Sequence, residues 1–174
     1  MSAQSTTDAI KLTPLQKKAW LLSAGGVALD GFDLFIMGVA LPLILDSFSG
    51  PAWQTGLIAS AAIVGAVFGA LVGGNLTDRF GRKRLYMWDL VAFVVFAVAS
   101  GFAWSVWSLI AFRFLLGLAV GADYPIAASF SSEYLPQEVR GRWLVAGFSF
   151  QALGMLAGAL TGVALLAILS LIHI

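Results

Sequence analysis

The chain has 174 residues, 60% hydrophobic and 11% charged, with 10 Lys and Arg against 9 Asp and Glu for a net charge of +1, and a mean hydropathy of +0.92. A soluble domain of this length does not carry such a composition, whereas an α-helical protein that crosses a membrane several times does. With no cysteine and a single histidine, His173, the sequence offers no disulfide framework, thiolate chemistry or zinc-finger spacing, and its scattered cations give nucleic-acid binding no support.

Residues 1–18 form a polar N-terminal segment containing Lys11, Lys17 and Lys18. The apolar stretch after it is far longer than the core of a cleavable signal, so it reads as a retained first span. Stretches long enough to cross a bilayer, roughly 20 apolar residues each, fall at about 19–45, 55–74, 85–104, 107–129 and 143–168. Alternation at strand period is missing, which argues against a β-barrel.

The cations sort by turn. Arg79, Arg82, Lys83 and Arg84 lie in the second turn, Arg140 and Arg142 in the fourth, and the first and third turns have none. The positive-inside rule then predicts a cytoplasmic N terminus, with the basic turns facing the cytoplasm of a cell inner (plasma) membrane. Trp20, Trp53, Trp88, Trp104, Trp107 and Trp143 lie near span ends, where indoles favour the headgroup level. Glycines recur every four residues at Gly65, Gly69 and Gly73, at Gly117 and Gly121, and at Gly154, Gly158 and Gly162. Such stripes let helix backbones approach in lipid, and smooth faces also allow helices to rock against each other.

Ionisable groups inside spans are costly and point to function. Asp30 and Asp33, three apart in the first span, share a helix face. A rise of ~1.5 Å per residue puts them about 16 and 21 Å from the basic side, and Asp123 of the fourth span about 12 Å from it. The three carboxylates are thus expected at similar depth, where they cannot all hold their charge. That is the chemistry of a proton carrier. Arg113 is available to neutralise one of them as an ion pair. Asp89, about one turn into the third span, either snorkels beside the Arg79–Arg84 cluster or joins the pathway. No catalytic triad, metal-ligand set or cofactor cradle is visible, so the chain is read as neither an enzyme nor a cofactor protein.

The turn Gly74-x-x-x-Asp78-Arg79-x-Gly81-Arg82-Lys83 resembles the signature between the second and third helices of major facilitator superfamily transporters. Arg113-x-x-x-Gly117-x-x-x-Gly121 resembles the superfamily's fourth-helix motif, and Glu133-x-x-Pro136-x-x-x-Arg140-Gly141 a loop signature of its sugar-porter branch. The resemblance implies an all-α integral membrane fold in which residues 19–168 supply about five helices of the N-terminal six-helix half of a twelve-helix transporter. It also implies a cytoplasmic gate built from Gly74, Asp78, Arg79, Gly81, Arg82, Glu133 and Arg140. The runs Asp30-Gly-Phe-Asp33, Tyr86-x-x-Asp89 and Gly121-Ala-Asp123-Tyr124-Pro125 are similar to stretches of proton-coupled phosphate symporters. In that likeness Asp30, Asp33 and Asp123 are proton or substrate-pathway acids, with Tyr124 and Gln151 as hydrogen-bond donors to the solute, and Arg113, inside the fourth span, is counted with the same pathway. The first of these runs equally resembles aromatic-acid proton symporters, and Gln151 matches a sugar-contacting glutamine of sugar porters.

The implied function is alternating-access symport of a proton with a small solute, inorganic phosphate or an organic acid ahead of a sugar or other metabolite. The implied partners are the lipid bilayer and a C-terminal half of the same chain, the source of about seven further spans. The competing classes are a membrane enzyme, which needs catalytic residues further on, and a small membrane subunit that transports nothing. Residues 169–174, Leu-Ser-Leu-Ile-His-Ile, resemble translated adaptor sequence and are expected to be a non-native tail.

Overall fold

The computed structural model describes residues 12–48 and 51–172. Lys11 and most of the N-terminal segment lie outside the described residues, as do His173 and Ile174 at the end of the expected tail. The described chain folds into five helices: α1 Pro14–Phe48, α2 Ala52–Phe80, α3 Arg82–Gly101, α4 Val106–Tyr134 and α5 Arg140–Ile172. Each contains a window long and apolar enough to cross a membrane.

These helices outrun the apolar spans, because hydropathy reports the bilayer crossing and not the length of the helix. The difference is largest at the basic turn. The segment Gly73–Phe80, expected as a turn, is the last part of α2, and α3 begins at Arg82. Nothing from Gly73 to Phe80 breaks a helix strongly enough once α2 is under way. Gly81 alone makes the break, with φ +83°, a conformation that L side chains rarely adopt. At the opposite end of the bundle, α4 starts with a capping box: Ser105 Oγ accepts from the Ser108 amide at 3.2 Å, and the Ser105 amide donates to Ser108 Oγ at 3.1 Å.

Two parallel helix pairs, α2 with α4 and α1 with α5, make the most extensive contacts. The glycine stripes explain both. A Cβ on Gly69 would collide with the Leu118 carbonyl, one on Gly121 with that of Ala66, and one on Gly154 with that of Ala28. Backbone therefore lies directly on backbone, which is how helices gain contact in lipid. α4 also packs on α3 and α1 and carries buried Leu109, Arg113, Leu116, Asp123, Ile126 and Phe130. The outer faces are apolar and exposed, as at Ile63, Val67, Leu71, Val95, Leu160 and Val163, which suits acyl chains as the neighbouring medium.

Four of the tryptophans, Trp53, Trp88, Trp104 and Trp107, are exposed. Trp20 and Trp143 instead turn inward and lock the starts of α1 and α5. Their rings meet edge-on at 4.9 Å, and the Trp20 indole N–H donates to the Trp143 carbonyl at 2.7 Å. A membrane-interface belt therefore accounts for only some of the indoles.

Candidate functional site

The interior ionisable groups gather where α1, α3 and α4 meet. Arg113, near the start of α4, extends across to α1 and donates from a guanidinium nitrogen to Asp33 Oδ2 at 2.8 Å. This pair is mostly shielded, with the Arg113 side chain 8% exposed and that of Asp33 16%. Arg113 Nε has no hydrogen-bond partner among the described residues, so the guanidinium has capacity beyond the one bond to Asp33. Cavities of about 420 Å³ and about 390 Å³ open on either side of the ion pair. Met37, Leu34, Leu116 and Gly117 help to wall the first, and Phe32, Phe93 and Leu109 the second.

Nearer the basic end, Asp30 of α1, Asp89 of α3 and Asp123 of α4 are all buried. Asp30 faces Asp123, Asp89 and Asp33, and Asp89 lies within hydrogen-bonding reach of Asp123. As carboxylates both can only accept, and a hydrogen bond between them needs one proton. Among the described residues neither Asp123 oxygen, nor Asp30 Oδ2, has a donor.

The expected trio of Asp30, Asp33 and Asp123 is joined by Asp89, and Arg113 pairs with Asp33. Asp89 could snorkel by its sequence position, but its face of α3 turns toward α4, which leaves it 9% exposed. Asp30 and Asp33 share one face of α1 and remain close enough to interact, while α4 offers an acid to one and a cation to the other.

Tyr124 and Gln151 bring α4 and α5 together beside Asp30. The Tyr124 hydroxyl faces both Gln151 and Asp30. The Tyr124 ring stacks on Phe148 at 5.9 Å. A Cβ on Gly31 would strike the Gln151 backbone, so the glycine after Asp30 is what admits α5 at this level.

The gate residues remain apart. Gly74 lies in the last part of α2, Gly81 forms the break, and Asp78, Arg79, Arg82 and Glu133 are exposed. No ion pair joins Asp78, Arg79, Arg82, Glu133 and Arg140 to one another among the described residues. Arg140 instead donates to the Leu135 carbonyl at 3.4 Å.

Sequence reasoning missed Tyr86. It is wholly buried, and its hydroxyl donates to the Leu22 carbonyl at 2.8 Å. Gly26 makes room for it, since a Cβ there would stand 2.7 Å from the hydroxyl and 3.4 Å from Asp123 Oδ1. The available signal was a tyrosine one helical turn before an intramembrane acid.

Comparison with known proteins identifies the family. The family described as "Sugar (and other) transporter" matches residues 18–170. The 4-hydroxybenzoate transporter PcaK of Pseudomonas aeruginosa is 36% identical over 158 residues, covering 91% of this chain and 35% of that protein. The niacin transporter NiaP of Acinetobacter baylyi is 35% identical over 141 residues, 81% of this chain and 32% of that protein. A protein of Oryza sativa subsp. japonica named "Probable inorganic phosphate transporter 1-10" is 36% identical over 157 residues, 82% of this chain and 28% of its own length. The chain thus spans about a third of the length of these relatives. With membrane-crossing helices throughout and the family match over nearly its whole length, the chain is a multi-pass membrane protein that belongs to the sugar (and other) transporter family of the major facilitator superfamily.

Proposed function

We propose that this chain is the first part of a proton-coupled symporter that carries a small organic anion, with aromatic carboxylates as the favoured class. The observation that carries the proposal is the buried ion pair between Arg113 and Asp33. Arginine does not lose its proton in proteins, so a proton entering the pair is received by the Asp33 carboxylate. Protonating Asp33 releases the guanidinium, whose planar fork suits a carboxylate bidentately. An arginine left without a partner in this interior is strongly unfavourable, costing roughly 3–5 kcal/mol. The protonated state therefore persists only when an anion replaces Asp33. Proton and anion need each other, and that mutual requirement is symport.

The anion also finds apolar walls beside its charge partner, in cavities of about 420 and 390 Å³. That combination fits a ring bearing one carboxylate better than a fully hydroxylated sugar. Relatives named for 4-hydroxybenzoate, niacin and benzoate point the same way. Tyr124 and Gln151 serve as hydrogen-bonding groups for the solute, and Asp30, Asp89 and Asp123 as a further proton site. Gly74, Asp78, Arg79, Gly81, Arg82, Glu133 and Arg140 form a cytoplasmic gate that assembles in another conformation, when the helix ends close on one another. The basic end faces the cytoplasm, and a C-terminal half completes the solute site.

Inorganic phosphate is the second reading. It is favoured by the Gly121-Ala122-Asp123-Tyr124-Pro125 run and by the rice relative, and an arginine fork accepts phosphate equally well. The test is uptake of radiolabelled 4-hydroxybenzoate, nicotinate and phosphate by the full-length protein in proteoliposomes. An imposed inward proton gradient should drive accumulation of an aromatic acid. Accumulation of phosphate alone would select the second reading, and uptake indifferent to the gradient for every solute would remove proton coupling.

A further inference from the structure

A carrier that uses protons must expose its proton site to one side of the membrane at a time, so something has to block the other side. The layer between the carboxyl cluster and the basic end is built around Tyr86. Its ring stacks on Phe130 of α4 at 5.0 Å with planes 10° apart, and Phe130 in turn meets Tyr134 at 5.0 Å. Ala19, Val27, Ile126 and Ala127 fill the remaining space. Closer still to the basic end, Leu12, Leu135 and Val139 form a second apolar layer with Trp20, Trp143 and Leu144 against it.

The hydroxyl end of Tyr86 points the other way. It enters the turn of α1 between Leu22 and Gly26 and donates to the Leu22 carbonyl. Asp123 Oδ1 lies just beyond, against the bare face of Gly26. Asp89 follows Tyr86 by one turn on α3 and Asp30 follows Gly26 by one turn on α1. The ionisable groups facing the hydroxyl are thus Asp30, Asp89 and Asp123, and α5 carries none between Trp143 and Ile172.

We propose that Tyr86, clipped to α1 through Leu22 and stacked on Phe130, is the seal that closes the carboxyl cluster against water and protons from the basic end of the bundle. The inference rests on the proton-coupled reading and adds the part that keeps the proton site one-sided. The ring makes the seal and the hydroxyl fixes its place. Tyr86→Phe keeps the stacked layer and loses only the clip, while Tyr86→Ala or Phe130→Ala opens a path lined at its far end by carboxylates, which attract protons.

The test needs no solute. Full-length protein is reconstituted with a pH-sensitive dye inside the vesicles, the membrane potential is clamped with potassium and valinomycin, and a pH step is applied. Wild type and Tyr86→Phe should hold the gradient, whereas Tyr86→Ala and Phe130→Ala should dissipate it several-fold faster. Alanine variants that elute as a single symmetrical species and hold the gradient as well as wild type would overturn the seal. Should either fail to purify, Tyr86→Leu and Phe130→Leu keep apolar volume without the stack and are judged by the same criterion. The leak is read apart from transport. Wild-type uptake indifferent to pH removes the proton-coupled reading, while tight alanine variants in a carrier whose uptake is pH-driven remove only the seal.

Discussion

Arg113 and Asp33 bond at 2.8 Å across the contact between α4 and α1, with cavities on both sides of the bond. A guanidinium and a carboxylate held in such a place depend on each other. In purified full-length protein, Arg113→Gln should lower stability by roughly 3–5 kcal/mol, because it leaves Asp33 charged and unpartnered. Adding Asp33→Asn should restore most of the loss, as read by thermal unfolding. A double variant no better than the single would show that the pair is not what the arginine contributes.

Asp33→Asn alone tests the coupling step. The variant mimics the protonated acid and leaves Arg113 permanently free for an anion. It should exchange labelled for unlabelled solute across the membrane yet fail to accumulate solute when a proton gradient is imposed. Gradient-driven accumulation at the wild-type level would place the coupling proton elsewhere.

The carboxyl cluster predicts an opposite balance of stability and activity. Asp123→Asn removes one of several crowded acids and supplies an amide donor to Asp89. The folded protein should melt no lower than wild type, while gradient-driven uptake falls. The same drop is expected for Asp30→Asn and Asp89→Asn. Wild-type uptake in all three would remove the cluster from the proton pathway.

Backbone contact makes certain glycines irreplaceable and leaves others free. Gly121→Ala and Gly154→Ala set a methyl against the Ala66 and Ala28 carbonyls and should each cost about 1–3 kcal/mol or more. Gly25→Ala and Gly141→Ala meet nothing within 4 Å and should leave the melting temperature unchanged. Equal effects in the two groups would contradict the packing described.

Orientation can be read by labelling, since the segment has no native cysteine. Lys83→Cys and Gln137→Cys lie at the basic end and Phe102→Cys at the other. A membrane-impermeant maleimide added to intact cells should label only Phe102→Cys, and permeabilised cells should label all three. The reverse pattern would invert the topology.

The sequence made the helices legible because hydropathy and the placement of cations follow from the bilayer itself, whatever the tertiary contacts. It made the glycine crossings legible too, since the spacing of four is a property of one helix. What depends on partners was harder to see. Asp33 and Asp30 share a face of α1, but their fates were set by what α4 places opposite them. Asp89 could be assigned only once the rotation of α3 was known. Tyr86 escaped because its role depends on the empty Cβ position of Gly26, a contact between residues 60 apart in the chain. The helical reach of α2 through Asp78 to Phe80 was hidden by charge, which ends an apolar span without ending a helix.

The glycine contacts also have a mechanical consequence. They fasten α2 to α4 and α1 to α5 along rows of carbonyls, so each pair is built as one stiff plank. The joint between the planks is where α1 meets α4, and there Arg113 bonds to Asp33. Under the proposed symport mechanism the ion pair would serve as a shear pin, locking the planks while it holds and withdrawn by a proton on Asp33.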